Sequence, residues 1–316
     1  MSFSSKAKND LARLTSEDRC CHLAELSGIL RVSGSLQPGP GGVGALVVTE
    51  NAAVARLIFT LFKKSFGAHA EVLASANKTL NKGHSYTVRL TQAETTLKTL
   101  EILEEGEAGL AIRGGLPARL LRKNCCRRAY LRGVFLGSGS VSDPEKGYHL
   151  EFVTHDPAYA EELRGLVNSY GLNAKIVARK QNTVVYLKEG DQIVDMLNII
   201  GAHTALLSFE DVRIIKQMRN DVNRIVNCET ANLNKTVDTA VRQIQAIETI
   251  QASMGLEGLP DALVEIARLR LEHTDLSLTE LGALLSPPVG KSGVNHRLKK
   301  LERIAESIRA NQGGDL

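Results

Sequence analysis

The feature that most constrains the fold is an internal repeat at a spacing of 105 residues. Residues 20–35 read CCHLAELSGILRVSGS and residues 125–140 read CCRRAYLRGVFLGSGS, with eight of sixteen positions identical. The register continues without a gap: Asn51 falls opposite Asp156, Ile58 opposite Leu163, Leu61 opposite Leu166 and Val72 opposite Val177. Self-similarity on this scale predicts a duplicated supersecondary unit whose copies bury apolar surface together.

Each copy has the same pattern. A motif helix ends at Ser-Gly-Ser, and an apolar strand follows at 45–50 or 148–154. An amphipathic helix comes next, at 52–64 or 157–170, with Asp156 as cap and Pro157 in the first turn of the second. Alternating strands follow at 70–74 and 86–90, then at 174–178 and 183–187. Helices at 92–103 and 191–200 close the copies. The expected class is α+β, with two αββαββα halves related by a pseudo-two-fold axis. The Gly-rich stretch 37–44 predicts a mobile loop tip.

A length of 316 residues suits about two domains of roughly 150 residues each. The expected division is 1–205 for the duplicated domain (repeats about 16–105 and 121–202), 206–255 for a helical connector and 256–316 for a terminal helical domain. The net charge of +4 permits a nucleic-acid partner without demanding one. The polar start MSFSSKAKND and the lack of an apolar run near ~20 residues predict neither a leader nor a membrane partner. Five cysteines occur as Cys20-Cys21, Cys125-Cys126 and Cys228, without a Cys-x-x-Cys pair. That spacing predicts reduced thiols in an intracellular protein, with the pairs as small buried helix residues and no metal or cofactor. The absence of Trp and an aromatic content of 4% weigh against stacking of single-stranded bases.

From residue 108 to 142 there is no acid, but seven bases: Arg113, Arg119, Arg122, Lys123, Arg127, Arg128 and Arg132. Two readings stand here. Arg122, Lys123, Arg127 and Arg128 are candidate phosphate contacts, or the stretch is a helix face paired with Glu101, Glu104 and Glu105. Beyond Gly201 the pattern turns helical. A helix capped by Ser208 is expected to about Cys228, a polar break at 229–234, and a second helix at 235–253 with Val237, Val241, Ile244, Ile247 and Ile250 on one face.

The last segment reads as three helices, at 261–272, 279–285 (capped by Ser277) and 291–308. Leu263, Ile266, Ala267 and Leu271 are expected on the buried side of the first. Leu281, Leu284, Leu285 and Val289 are expected to pack on Val294, Leu298 and Leu301. This is a helix-turn-helix pattern. Its candidate DNA-binding residues are Lys291, Ser292, Asn295, His296, Arg297, Lys299 and Lys300 on the third helix, with Thr279 on the second. Asn suits adenine, and Lys and Ser suit guanine or phosphate.

The strings 26–34 (LSGILRVSG) and 131–139 (LRGVFLGSG) resemble the LAGLIDADG motif of homing endonucleases. That resemblance implies two closely packed motif helices, with Gly28 and Gly133 allowing the approach, and a metal-binding acid at the end of each motif. The matching positions here are Ser33 and Ser138, and hydroxyls are poor ligands where two-metal cleavage needs carboxylates. No catalytic residue is therefore expected. Over nearly its whole length the chain is similar to the bacterial WhiA family, through KNCCRRAYLRGVFLGSGSVSDPEKGYHLEFVT (123–154), MRNDVNRIVNCETANLNKTV (218–237) and LSLTELGALLSPPVGKSGVNHRLKKL (276–301). The family places Ser rather than Gly at the cap position held by Gly290.

The resemblance implies a sequence-specific binder of double-stranded DNA in cell division and chromosome segregation, a transcriptional regulator that controls sporulation in some lineages. It implies a cytoplasmic, nucleoid-associated protein with no small-molecule substrate and with another transcription or cell-division factor as a candidate partner of the LAGLIDADG-like domain. Two alternatives are an active endonuclease using acids such as Asp143 and Glu145, and a protein-interaction adaptor.

Overall fold

Both copies of the repeat follow one element order in this computed structural model, which describes residues 1–14, 16–39, 42–68, 70–76, 84–106 and 109–312. A leading helix, α1 (Phe3–Leu11), which sequence reading missed, precedes the first copy. That copy runs α2 (Arg19–Ser33), β1 (Gly34–Gly39), β2 (Gly42–Thr49), α3 (Ala52–Phe66), β3 (Glu71–Ala76), β4 (His84–Leu90) and α4 (Glu94–Thr99). A hairpin of β5 (Leu103–Gly106) and β6 (Gly109–Ile112) follows. The second copy runs α5 (Asn124–Ser138), β7 (Gly139–Val141), β8 (Leu150–Thr154), α6 (Pro157–Asn168), β9 (Lys175–Arg179), β10 (Asn182–Leu187) and α7 (Gly190–Ile200). The expected αββαββα halves are both present.

Each copy builds a four-stranded antiparallel sheet in the same order, β1-β2-β4-β3 and β7-β8-β10-β9. Alternation sets the faces. Ala45 and Val47 sit opposite Leu90 and Val88 and are buried, as are Phe152 and Val185 in the second sheet. Equivalent caps start the next helices. Asn51 Oδ1 accepts from the Ala53 and Val54 amides, and Asp156 Oδ1 from those of Ala158 and Tyr159, with Pro157 in the first turn.

Three expectations need correction. The stretch 37–44 is not simply a loop, because Gln37–Gly39 belong to β1 and Gly42–Gly44 to β2; Pro40 and Gly41 lie outside the described residues. β1 is an edge strand, where Pro38 removes no needed ladder bond. The helix expected at 92–103 is confined to Glu94–Thr99, and Glu101 takes φ +54 as the chain turns into β5. The connector has neither a cap at Ser208 nor a break at 229–234. It is one helix, α8 (His203–Met254). No Gly or Pro interrupts that span, and three of its threonines bond back one turn, among them Thr236 Oγ1 donating to Asn232 O at 3.0 Å and Thr239 Oγ1 to Lys235 O at 2.7 Å.

The chain divides into two compact units, Met1–Lys216 and Gln217–Leu316. The first core lies between the motif helices and the inner sheet faces, around Leu26, Ile29, Phe62, Tyr130, Phe135 and Phe152. The second unit contains the remainder of α8 with α9 (Asp261–Glu272), α10 (Leu278–Leu284) and α11 (Lys291–Gln312). Its core joins Ile247 and Ile250 of α8 to Leu263, Ile266, Leu281, Val294, Leu298 and Leu301. Four apolar residues depart from expectation: Leu284 is exposed and Leu271 half-buried, and Val237 and Val241, read on one face with Ile247 and Ile250, are exposed. Among the described residues no helix is long and apolar enough to cross a membrane.

Candidate nucleic-acid interface

In the second unit, α10 opens with a capping box. Ser277 Oγ accepts from the Glu280 amide at 3.3 Å, and Glu280 Oε2 accepts from the Ser277 amide at 2.8 Å. Two hydrogen bonds from Ser277 hold the Glu280 carboxyl below its usual range. The turn to α11 folds tightly onto α10, with the Val289 amide donating to Gly282 O at 2.9 Å. A Cβ at Gly282 would lie 2.0 Å from Val289 O, so the turn requires glycine there. At Gly290 a Cβ meets nothing within 4 Å, so the space there would also take a serine.

Val294, Leu298, Leu301 and Ala305 anchor α11. At about 100° per residue, the opposite side centres on Ser292, His296, Lys299 and Arg303, all exposed. Half-buried Asn295 and exposed Glu306 flank it on one side and Lys300 on the other, whereas Lys291, exposed at the start of the helix, and half-buried Arg297 lie toward the anchored side. Thr279 is exposed in the first turn of α10. Ion pairs among the described residues fall elsewhere, such as Arg213 with Asp191 and Arg224 with Asp221. Among the described residues none of the α11 cations forms an ion pair, although Glu302 and Glu306 share the helix with them. Arg303 was not singled out in the sequence, although its i+4 spacing from Lys299 marks the same face.

In the first unit the motif helices α2 and α5 pack in parallel. A Cβ at Gly28 would stand 2.5 Å from Tyr130 O, and one at Gly133 would stand 2.1 Å from Glu25 O. At their C-terminal ends, a Cβ on Gly137 would lie 3.1 Å from Ser33 Oγ. Ser33 Oγ already donates to Ile29 O at 2.7 Å, and Ser138 Oγ is buried without a partner among the described residues. The divalent ion that a LAGLIDADG-like scaffold implies does not fit two neutral hydroxyls. Asp143 and Glu145 are exposed, and Asp143 Oδ1 accepts from the Glu145 amide at 3.0 Å. Their counterparts 105 residues earlier are Pro38 and Pro40. On the outer face of the second sheet, Glu151 is engaged with Ser140, His149 and Arg179.

The basic stretch is mostly used internally. Arg113 and Arg119 pair with buried Glu101, at 3.3 and 3.1 Å. Arg132 makes a two-pronged pair with buried Glu25 at 2.9 and 2.8 Å. Arg127 donates to Leu121 O, and Arg128 donates to Ile199 O and Asn198 O at the C-terminal end of α7. Arg122 and Lys123 remain exposed. They precede α5, so they lie about 20 Å along its axis from Ser138 and cannot share a short patch with it.

Sequence reading also missed a convergence at that N-terminal end. The Sγ atoms of Cys20, Cys21, Cys125 and Cys126 lie within 4.8 Å of one another. Spacing along the chain does not show this, because the pairs sit at equivalent positions of two copies. The repeat register was the available signal.

Comparison with known proteins gives three family models. The WhiA N-terminal LAGLIDADG-like domain matches residues 19–103, the WhiA LAGLIDADG-like domain 127–219 and the WhiA C-terminal HTH domain 222–305. A protein of Alkaliphilus metalliredigens named "Probable cell division protein WhiA" is 53% identical over 98% of this chain and 99% of its own length. One of the same name from Alkaliphilus oremlandii is 55% identical over 98% of each. The crystal structure of full-length DUF199/WhiA from Thermatoga maritima is similar over 97% of this chain and 99% of that chain, with 26% identity and a TM-score of 0.60.

Proposed function

The chain belongs to the WhiA family, and from that premise we propose that it is a non-catalytic binder of double-stranded DNA acting in cell division, with α11 entering the major groove. The carrying observation is the face of α11: Lys299, Lys300 and Arg303 stand exposed around Ser292, Asn295 and His296, with Lys291 exposed at the start of the helix, and none of these cations is ion-paired among the described residues. Cations so placed neutralise phosphates and release counterions, while Asn295 and Ser292 offer groups for base edges. Thr279 in the first turn of α10 and Arg297, half-buried near the core boundary of α11, are candidate contacts to the DNA backbone, and Arg122 and Lys123 are the members of the basic stretch left for phosphate.

The hydroxyls at Ser33 and Ser138 support a LAGLIDADG-like half without strand-cleaving chemistry. The outer sheet faces expose Val48, Leu73 and Val177, groups suited to a protein partner, such as a transcription or cell-division factor, rather than to phosphate. Transcriptional regulation, chromosome segregation, sporulation control and a nucleoid location belong to the same reading, as does the division into 1–205, 206–255 and 256–316.

Duplex binding by the full-length protein at two salt concentrations tests it. Lys299→Ala should weaken binding on all sequences and reduce the salt slope by about one, and Asn295→Ala should relax preference at one base pair by about 1–3 kcal/mol. Unchanged affinity and slope in Lys299→Ala combined with Lys300→Ala would overturn the assignment to α11. Metal-dependent nicking of DNA would overturn the non-catalytic part.

A further inference from the structure

Four sulfurs meet where the two copies of the repeat join. Cys20 and Cys21 lie in the first turn of α2, and Cys125 and Cys126 in the first turn of α5. Parallel packing of these helices brings both pairs together, with every Sγ within 4.8 Å of the others. Cys125 Sγ and Cys126 Sγ stand 4.0 Å apart. Zinc–sulfur bonds of about 2.3 Å give a tetrahedron with sulfur–sulfur edges of roughly 3.8 Å, so closure needs shifts of about 1 Å or less.

We propose that Cys20, Cys21, Cys125 and Cys126 form a tetrathiolate site for zinc that staples the first turns of the two motif helices across the pseudo-two-fold axis. An all-sulfur donor set selects soft or borderline cations over magnesium or calcium, and no Asp, Glu or His joins the cluster among the described residues. Cys21 and Cys126 are buried, Cys20 half-buried and Cys125 exposed, so the site is closed on the protein side and open to an entering ion.

The surroundings suit the net charge of −2 that one Zn²⁺ and four thiolates carry. Neither helix has an acid in its first turn or a side-chain cap bond, although Asp18 is the N-cap residue of α2; the Cys21 and Cys126 amides donate to the cap carbonyls, which leaves the amides of Cys20 and Cys125 without a backbone partner among the described residues. Arg19 directly precedes the first pair, and Arg122 and Lys123 lead into the second. Loading is a proton exchange: four thiols and one Zn²⁺ give the tetrathiolate and four protons. Because loading releases protons, affinity falls as the solution is acidified.

The test uses the full-length protein, reduced and stripped of metal, titrated anaerobically with Co²⁺ as a spectroscopic probe. The expected result is a sulfur-to-cobalt charge-transfer band with tetrahedral visible bands, saturating at one equivalent and bleached by Zn²⁺. Cys20→Ser combined with Cys125→Ser, the two positions that are not fully buried, should abolish the bands, and Cys228→Ser should leave them unchanged. Should that double variant fail to fold, Cys125→Ser alone carries the test. It should weaken Co²⁺ binding by about 100-fold or more, at least what loss of an outer-shell partner costs. Absence of the charge-transfer band while all five thiols titrate as reduced would overturn the site. Survival of the band in the double variant would do the same.

Discussion

Replacing Gly133 with alanine probes the contact on which the first unit is built. The added Cβ would stand 2.1 Å from Glu25 O and 3.0 Å from the carbonyl carbon. Both are helix backbone atoms and cannot rotate aside. The helices must part by about 1 Å, a gap that forfeits a quarter to a half of the dispersion energy of each contact it opens. The contacts affected include those of Leu26, Ile29, Leu131 and Val134, all fully buried. Overpacking of this severity costs about 3 kcal/mol, offset by less than about 1 kcal/mol from the better helix propensity of alanine. The net loss of about 2–3 kcal/mol should lower the thermal midpoint of a unit near 200 residues by about 4–12 °C.

Urea unfolding followed by far-ultraviolet circular dichroism measures the change. The control is Gly165→Ala in α6, where a Cβ meets nothing within 4 Å and the residue is exposed. There the same substitution should stabilise by about 0.5–1 kcal/mol. Opposite signs at two helical glycines identify backbone contact as the cause. A Gly133→Ala protein within about 0.5 kcal/mol of the parent, the range of an ordinary surface change, would refute the reasoning.

Arg132→Ala leaves the Glu25 carboxylate, 1% exposed at its side chain, without its partner, and should destabilise by about 3–5 kcal/mol in the same urea assay. Arg132→Met with Glu25→Leu should recover most of that loss, because it removes both charges together. Burial pushes the Lys8 ammonium down to about 8. A lysine lowered on folding holds fewer protons in the native state, so stability should rise as pH climbs from about 8 toward the ordinary lysine range. Denaturation at a series of pH values should show that rise in the parent and lose it in Lys8→Met.

Much of this protein was legible along the chain because its signals are local. A register of 105 residues exposed the duplication. Period-two and period-3.6 apolar patterns placed the strands and helices, and the caps at Asp156 and Ser277 are short-range chemistry that the structure reproduces. The polar run at 229–234 misled because Asn and Thr are weak helix formers in isolation, yet α8 continues through it, with Asn232 Nδ2 donating to Cys228 Sγ one turn back. β1 and the β5–β6 hairpin were missed because their pairing partners, not their composition, hold them.

The pattern of residues on α11 could be read before any coordinates, since a helix repeats every 3.6 residues. Which cations are free could not. Arg113, Arg119 and Arg132 look as available as Lys299 in the sequence, and only the fold sets acids against them. Leu284 reads as core and is exposed, since α10 ends where the chain turns toward α11. The four sulfurs, about a hundred residues apart in two pairs, meet because Gly28 and Gly133 let two backbones touch. Periodicity and capping act over a few residues and are written in the chain itself. Convergence over a hundred residues is decided by steric contact, which exists only once both copies have folded.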